Sequence, residues 1–132
     1  MFEEEMQNHL SEYLKKEGFE VYSEIRFLEK KIDLIYIKRK QLISIELKVQ
    51  NWKRALWQAY VNQLFTSKSY VCLWSEVIKN IDKREFEKFG IGVLSIDENS
   101  EIKLILDAKT SQYMHLDLLN KLVGKLNDLR EN

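Results

Sequence analysis

Apolar residues recur along this chain with two different periods, and the switches between them mark out its elements. Over 5–16, Met6, Leu10, Tyr13 and Leu14 fall at helical spacing, with Gly18 just beyond as a stop. Residues 20–28 alternate instead. Val21, Ser23, Ile25 and Phe27 share one side and Tyr22, Glu24, Arg26 and Leu28 the other, as in a strand with one apolar face. Two more β-rich segments, 32–37 and 42–49, are separated only by 38–41, so they are expected to pair antiparallel, although Arg39-Lys40 lacks the Asn-Gly chemistry of a tight turn. Helical spacing returns with Trp52, Ala55, Leu56, Ala59, Tyr60 and Leu64, ending near Phe65, and the apolar run 69–74 is long enough for a buried strand. A short helix over 84–89, strands at 92–96 and 102–106 and a closing helix over 116–129 complete the series. A helix, a three-stranded meander, a helix and a strand predict an α/β fold whose mixed central sheet is flanked by helices.

Composition narrows the class without changing this outline. The 132 residues amount to one domain, 1–132, and the balance of 45% hydrophobic to 32% charged residues lies in the globular range. Proline is absent and glycine occurs four times, which leaves no stiff or floppy linker. The lone cysteine, Cys72, lies in the apolar run Tyr70-Val71-Cys72-Leu73-Trp74 and reads as a small buried hydrophobe, which fits a reducing, cytoplasmic setting. The acidic start Met1-Phe2-Glu3-Glu4-Glu5 does not read as a secretory signal, and no apolar stretch approaches the roughly 18 residues of a membrane span.

Formal charge sums to zero, with 21 basic and 21 acidic residues, so any affinity for nucleic acid must come from a local patch. Lys38-Arg39-Lys40 and Lys53-Arg54 are the candidates. His9 and His115 have no metal-ligand spacing, and the chain has no Gly-rich phosphate loop and no cysteine cluster.

The chemistry concentrates in the hairpin. Along 42–49 the odd positions Ile43, Ile45, Leu47 and Val49 are apolar, while Glu46 and Lys48 share the other face. A carboxylate and an ammonium inside an apolar strand cost desolvation energy unless paired, solvated or metal-bound. With the turn centred on Arg39-Lys40, Lys38 faces Gln41 and Asp33 falls opposite Glu46. Two carboxylates so opposed repel one another, and a hard cation between them converts repulsion into binding. Mg²⁺ suits such a pair, with the Leu47 carbonyl as a third oxygen and Lys48 placed to orient water or stabilise developing charge. That is the chemistry of phosphodiester hydrolysis. Against this, Glu46 and Lys48 would also serve simply as an ion pair on a solvated strand face.

The run Ile32-Asp33-Leu34-Ile35, followed by Ile45-Glu46-Leu47-Lys48 with twelve residues between Asp33 and Glu46, resembles the signature of the PD-(D/E)xK nuclease superfamily. Ile32 stands where that signature has proline. The resemblance covers roughly residues 5 to 75 and implies a restriction-endonuclease-like αβββαβ core. It implies Asp33 and Glu46 as metal ligands and Lys48 as the group assisting water. Glu5, from the first helix, would join the metal, and Gln58 would match a glutamine carried by some branches, although Tyr60 does not complete their QxxxY spacing.

The expected function is therefore a Mg²⁺-dependent nuclease, with Mn²⁺ as a substitute ion and DNA as the substrate class. The alternative is a catalytically inactive module on the same fold that binds nucleic acid or assembles with a repair or defence complex. Trp52 and Trp57 flank the site in sequence and fit either base stacking or core. The terminal stripe Leu116, Leu119, Leu122, Val123 and Leu126 fits either the chain's own core or a homodimer.

Overall fold

Three glutamates in the first turn and Lys15-Lys16 in the last complement the dipole of helix α1 (Glu3–Lys16), and Gly18, at φ 92°, supplies the left-handed residue that ends it. In the computed structural model, which describes residues 2–131, the chain then runs β1 (Glu20–Phe27), β2 (Lys30–Lys38), β3 (Gln41–Lys48), α2 (Trp52–Asn62) and β4 (Lys68–Trp74). This is the αβββαβ order expected from the pattern. A 3₁₀ turn (Ser75–Asn80), not foreseen, precedes α3 (Lys83–Phe89), β5 (Gly92–Ile96), β6 (Ile102–Leu106) and α4 (Leu116–Glu131).

The six strands of the described residues lie in one mixed sheet in sequence order. Strands β1, β2 and β3 form an antiparallel meander, β3, β4 and β5 run parallel, and β6 returns antiparallel to β5. Both turns of the meander have two residues with positive φ, Leu28-Glu29 and Arg39-Lys40, the conformation that two-residue hairpins demand of their central pair. Lys38 pairs with Gln41, as the pattern predicted, even though neither turn contains glycine.

Helix α1 covers one face, where Met6, Leu10 and Leu14 pack on Leu34, Ile43, Ile45, Leu47 and Cys72. The other face carries two separate cores. Helix α4 sets Leu122 and Leu126 against Ile25, Phe27, Ile32 and Ile35, and α2 with α3 sets Ala55, Ala59 and Phe86 against Val71, Leu73 and Val93. The inner residues of the terminal stripe are thus spent on the chain's own core, while Leu116 is 66% exposed. No helix among the described residues is long and apolar enough to cross a membrane.

The first strand departs from simple alternation. Val21 packs on the α1 side, but Ile25 and Phe27 pack under α4, because Glu24 at φ 50° breaks the pleat between them. In β2 the alternation breaks at the opposed position: Ile32 and Ile35 both lie under α4, while Leu34 faces α1. Ser23 pairs with Leu34 and Ile25 with Ile32, so Glu24 and Asp33 face each other across an unpaired step.

Candidate functional site

Strands β2 and β3 pair only as far as Leu34 and Ile45. The next opposed residues are Asp33 and Glu46, as the register predicted, but the ladder stops there and the strands part. Asp33 fills the opening, and its Oδ2 accepts the Leu47 backbone N–H at 2.9 Å. One residue's N–H and C=O point to the same side of an antiparallel strand, so the Leu47 carbonyl faces this opening too.

Unbroken alternation from Ile37 through Ile35 would have driven Asp33 under α4. The break frees it instead to line a cleft of about 300 Å³ with Leu47, Lys31, Glu24 of β1, and Glu3 and Glu4 of α1. Lys31 lies 3.9 Å from Asp33 Oδ1 and 3.4 Å from Glu24.

Glu46 stays on the α2 side of the sheet and is fully buried. Its Oε2 accepts from Asn62 Nδ2 at 2.7 Å and lies 4.0 Å from the Lys30 ammonium. Its Oε1 is buried with no hydrogen-bond partner among the described residues. Burial and then the charge of Asp33 push the carboxyl up to about 7, against the pull of Lys30 and Asn62. Lys30 itself is lowered by burial, which the carboxylates of Glu46 and Asp33 oppose. Its ammonium donates to Asn62 Oδ1 and, at 3.2 Å, to the Gln58 carbonyl.

Glu46 belongs to a buried polar seam between the two cores of that face. Ser44 Oγ and Ser69 Oγ are 3.1 Å apart, Thr66 Oγ1 is 3.1 Å from Ser69 Oγ, and Thr66 donates to the Asn62 carbonyl at 2.7 Å. An apolar strand position at the sheet centre would close this seam. The chain has instead satisfied most of its polar groups internally and left one carboxylate oxygen over.

The sequence-derived residues are not all assembled. Asp33, Glu46 and Leu47 converge at the parting of the strands. The Lys48 ammonium lies 3.9 Å from Glu3 Oε2, and Glu3 Oε1 accepts the Val49 N–H at 3.3 Å, so α1 is tied to the end of β3 by Glu3. Glu5 turns back on its own helix, accepting the Phe2 N–H at 3.3 Å, and does not reach the carboxylates. Gln58 meets the cluster through its main-chain oxygen, while its side-chain Oε1 is buried without a partner among the described residues.

Lys30 and Asn62 are the contacts that sequence reasoning missed. Asn62 lies one helical turn beyond Gln58 and so shares its face, a signal present in the spacing. For Lys30 there was none, since its approach depends on the positive-φ turn at Leu28-Glu29.

The donor set suits a small hard cation. Among the described residues no group of three His, Cys, Asp or Glu side chains gathers to hold a metal. Mg²⁺ needs no such cage, because it keeps several waters and takes one or two carboxylates. The unpartnered Glu46 Oε1, the Asp33 carboxylate beside it and the Leu47 carbonyl match that requirement.

Comparison with known proteins bears on the fold. No protein-family model and no curated protein matches the sequence. Among solved structures, the SPO1766 protein of unknown function from Silicibacter pomeroyi superposes with a TM-score of 0.68 at 17% identity, over 96% of this chain and 84% of that one. An fdxN element excision controlling factor from Anabaena variabilis gives 0.52 at 15% identity, over 76% of this chain and 98% of the other. The Pyrococcus furiosus SfsA structure, in complex with Ca²⁺, gives only 0.42 at 15% identity over 87% and 62%, too slight a likeness to build on. The first two establish that this mixed sheet with its flanking helices is a fold shared with other proteins.

Proposed function

We propose that the protein is a divalent-metal-dependent nuclease of the PD-(D/E)xK type acting on DNA. The observation that supports this reading most directly is the buried Glu46 Oε1, unpartnered among the described residues, beside Asp33 where β2 and β3 part. Asp33, Glu46 and the Leu47 carbonyl would hold the ion, and Mn²⁺ would substitute for Mg²⁺. When bound, such an ion supplies charge neutralisation at a phosphoryl oxygen and an acidified water.

The chain's own groups do the positioning. The Leu47 N–H fixes the Asp33 rotamer, and Asn62 aims Glu46 by binding its Oε2. Lys30 supports the ionised form of Glu46 from behind. Lys48 follows Glu46 by two residues on β3 with its ammonium at Glu3, and release from Glu3 would let that ammonium turn to the phosphate.

A second reading, a module of the same fold that binds nucleic acid without cutting it, draws on one observation: Lys48 is engaged by Glu3. Incubating labelled linear, branched and supercoiled DNA with Mg²⁺ or Mn²⁺ separates the two. The nuclease reading expects metal-dependent cleavage that is lost in Asp33→Ala and reduced at least about a hundredfold in Lys48→Ala, a loss typical of removing one charge-stabilising group. Cleavage surviving both substitutions would overturn the site, and salt-dependent retention of DNA with no cleavage on any substrate would favour the non-catalytic module.

A further inference from the structure

Helix α2 has a second, outward face that the metal site does not use. From Leu47 to Ser75 the chain has no aspartate or glutamate; Lys53 and Arg54 lie on the helix itself, whereas Lys48 is engaged by Glu3 of α1 and Lys68 lies near Asp107 on the α1 side of the sheet, and 108–116 is likewise free of acids and contains Lys109. A neutral protein therefore has a local basic region centred on this helix. Aromatic rings line the same surface. Trp57, 63% exposed, lies 5.7 Å from Tyr60 between ring centroids. Tyr60 in turn meets Phe89 at 5.0 Å and Tyr113, itself 49% exposed, at 5.9 Å.

Beside Phe89 and Tyr113 opens a pocket of about 130 Å³, lined also by Gln63, Gly90, the ammonium-bearing Lys88 and Lys109, and one carboxylate, Glu87. Gln63 is 2% exposed, and its Nε2 donates to the Phe89 carbonyl at 2.8 Å. Its Oε1 is buried with no partner among the described residues. A glutamine with an unpartnered acceptor, in the lining of a small pocket where aromatic rings and two ammonium groups stand beside the single carboxylate of Glu87, matches what a nucleobase offers: a flat π face, N–H donors at its edge and a phosphate on either side. Gly90 forms part of this wall at φ 72°, a conformation that any other residue would strain to adopt.

We propose that this face of α2 is a single-strand nucleic-acid platform, on which Trp57 and Tyr113 stack successive bases, the pocket at Gln63 takes a base edge, and Lys53, Arg54, Lys88 and Lys109 hold the backbone. The platform rests on the nuclease reading only for its purpose, which would be to lead a strand toward the opposite face of the same helix, where Asn62 meets Glu46. Binding itself is independent of cleavage. A second copy of the chain would also cover exposed aromatic rings, but Lys53, Arg54, Lys88 and Lys109 outnumber Glu87 around them, and that excess of positive charge opposes self-association and favours a polyanion.

The test is fluorescence anisotropy in EDTA, with oligothymidylate of about 12 nucleotides, an abasic oligomer of equal length, and the corresponding duplex. Wild-type protein is expected to bind the single strand, with quenching of tryptophan emission, and to bind the abasic oligomer and the duplex more weakly. Trp57→Ala and Tyr113→Ala alter exposed rings, and each is expected to lose roughly 5- to 150-fold in affinity, the range of one stacked base. Equal binding of the abasic oligomer, or undiminished binding by the double variant, would overturn the platform. So would a concentration-dependent dimer in sedimentation that Trp57→Ala abolishes. If wild type binds the single strand in EDTA but cuts nothing when metal is added, the nuclease reading fails and the platform stands.

Discussion

Replacing Glu46 by glutamine tests the site through stability, without any assumption about substrate. The carboxyl is fully buried, and its pKa in the folded chain is about 7 against an ordinary 4.5. An acid whose folded pKa is raised keeps its proton in the native state at pH values where the unfolded chain has already lost it. Stability therefore falls as pH rises from 4.5 to about 7 and is level above that. At about 1.4 kcal/mol per pH unit, the loss amounts to roughly 3 kcal/mol, a large part of a small domain's margin. The amide of Glu46→Gln has no charge to bury. Its oxygen can accept from Asn62 as Oε2 does now, and its NH₂ fills the unpartnered Oε1 position and can donate to Asp33. Lys30 retains Asn62 and the Gln58 carbonyl as acceptors. Urea denaturation followed by tryptophan emission should thus show the variant more stable than wild type by about 2–3 kcal/mol at pH 8, with the gap closing toward pH 5. Mg²⁺ at about ten times its dissociation constant should return about 1.4 kcal/mol to the wild type and nothing to the variant. A variant less stable than wild type at pH 8, or a wild-type profile flat between pH 5 and 7, would refute the buried-charge account.

Three further outcomes follow from particular contacts. Lys30→Met removes the cation 4.0 Å from Glu46 and should move the acidic limb of metal-dependent cleavage upward by about one pH unit, since the carboxyl then ionises later; an unmoved pH–rate profile would exclude Lys30 from the site. Lys40→Gly relieves a residue at φ 67° in the β2–β3 turn and should stabilise the protein by about 1 kcal/mol, whereas Lys40→Val should destabilise it, both read from urea midpoints. Gly92→Ala would set a Cβ 2.3 Å from the Tyr70 ring and 2.8 Å from the Ala108 nitrogen, so a loss of about 3 kcal/mol is expected in the same assay.

The elements of this fold could be read from periodicity because most of them bury one face. Met6, Leu10 and Leu14 announce α1 by spacing alone, and the register of β2 with β3 followed from a short connection that left the turn almost no freedom. What periodicity could not show is where it breaks. Glu24 and Asp33 interrupt their strands at facing positions, so Ile25 and Phe27 went to the face opposite that of Val21, and Asp33 left the face its neighbours dictated. A pattern with period two is blind to a single residue at positive φ, since the change lies in the backbone and not in residue type. Asp33 and Glu46 were legible as charges in apolar strands. Lys30 and Asn62 were not, because their roles arise from a turn and a helix end brought together only by folding.

The same break explains why the carboxylates stand where they do. The sheet face opposite α1 is covered by two helical units that meet over β3, with Leu42 packed under α4's side and Val71 of the neighbouring strand under α2. A third apolar side chain at position 46 would seal that junction. Glu46 occupies it instead, at a cost in stability worked out above, and Asn62, Thr66, Ser69 and Ser44 form the polar seam around it. A structural role does not account for that arrangement well, since an isosteric amide would satisfy the seam better and leave no oxygen over. Retaining an ionisable group at this position makes physical sense when its charge is used, and the user we propose is a cation held with the Asp33 carboxylate and the Leu47 carbonyl at the adjacent opening. The stability gain expected of Glu46→Gln and its loss of metal response are therefore two sides of one arrangement, and finding the first without the second would separate a strained core from a working site.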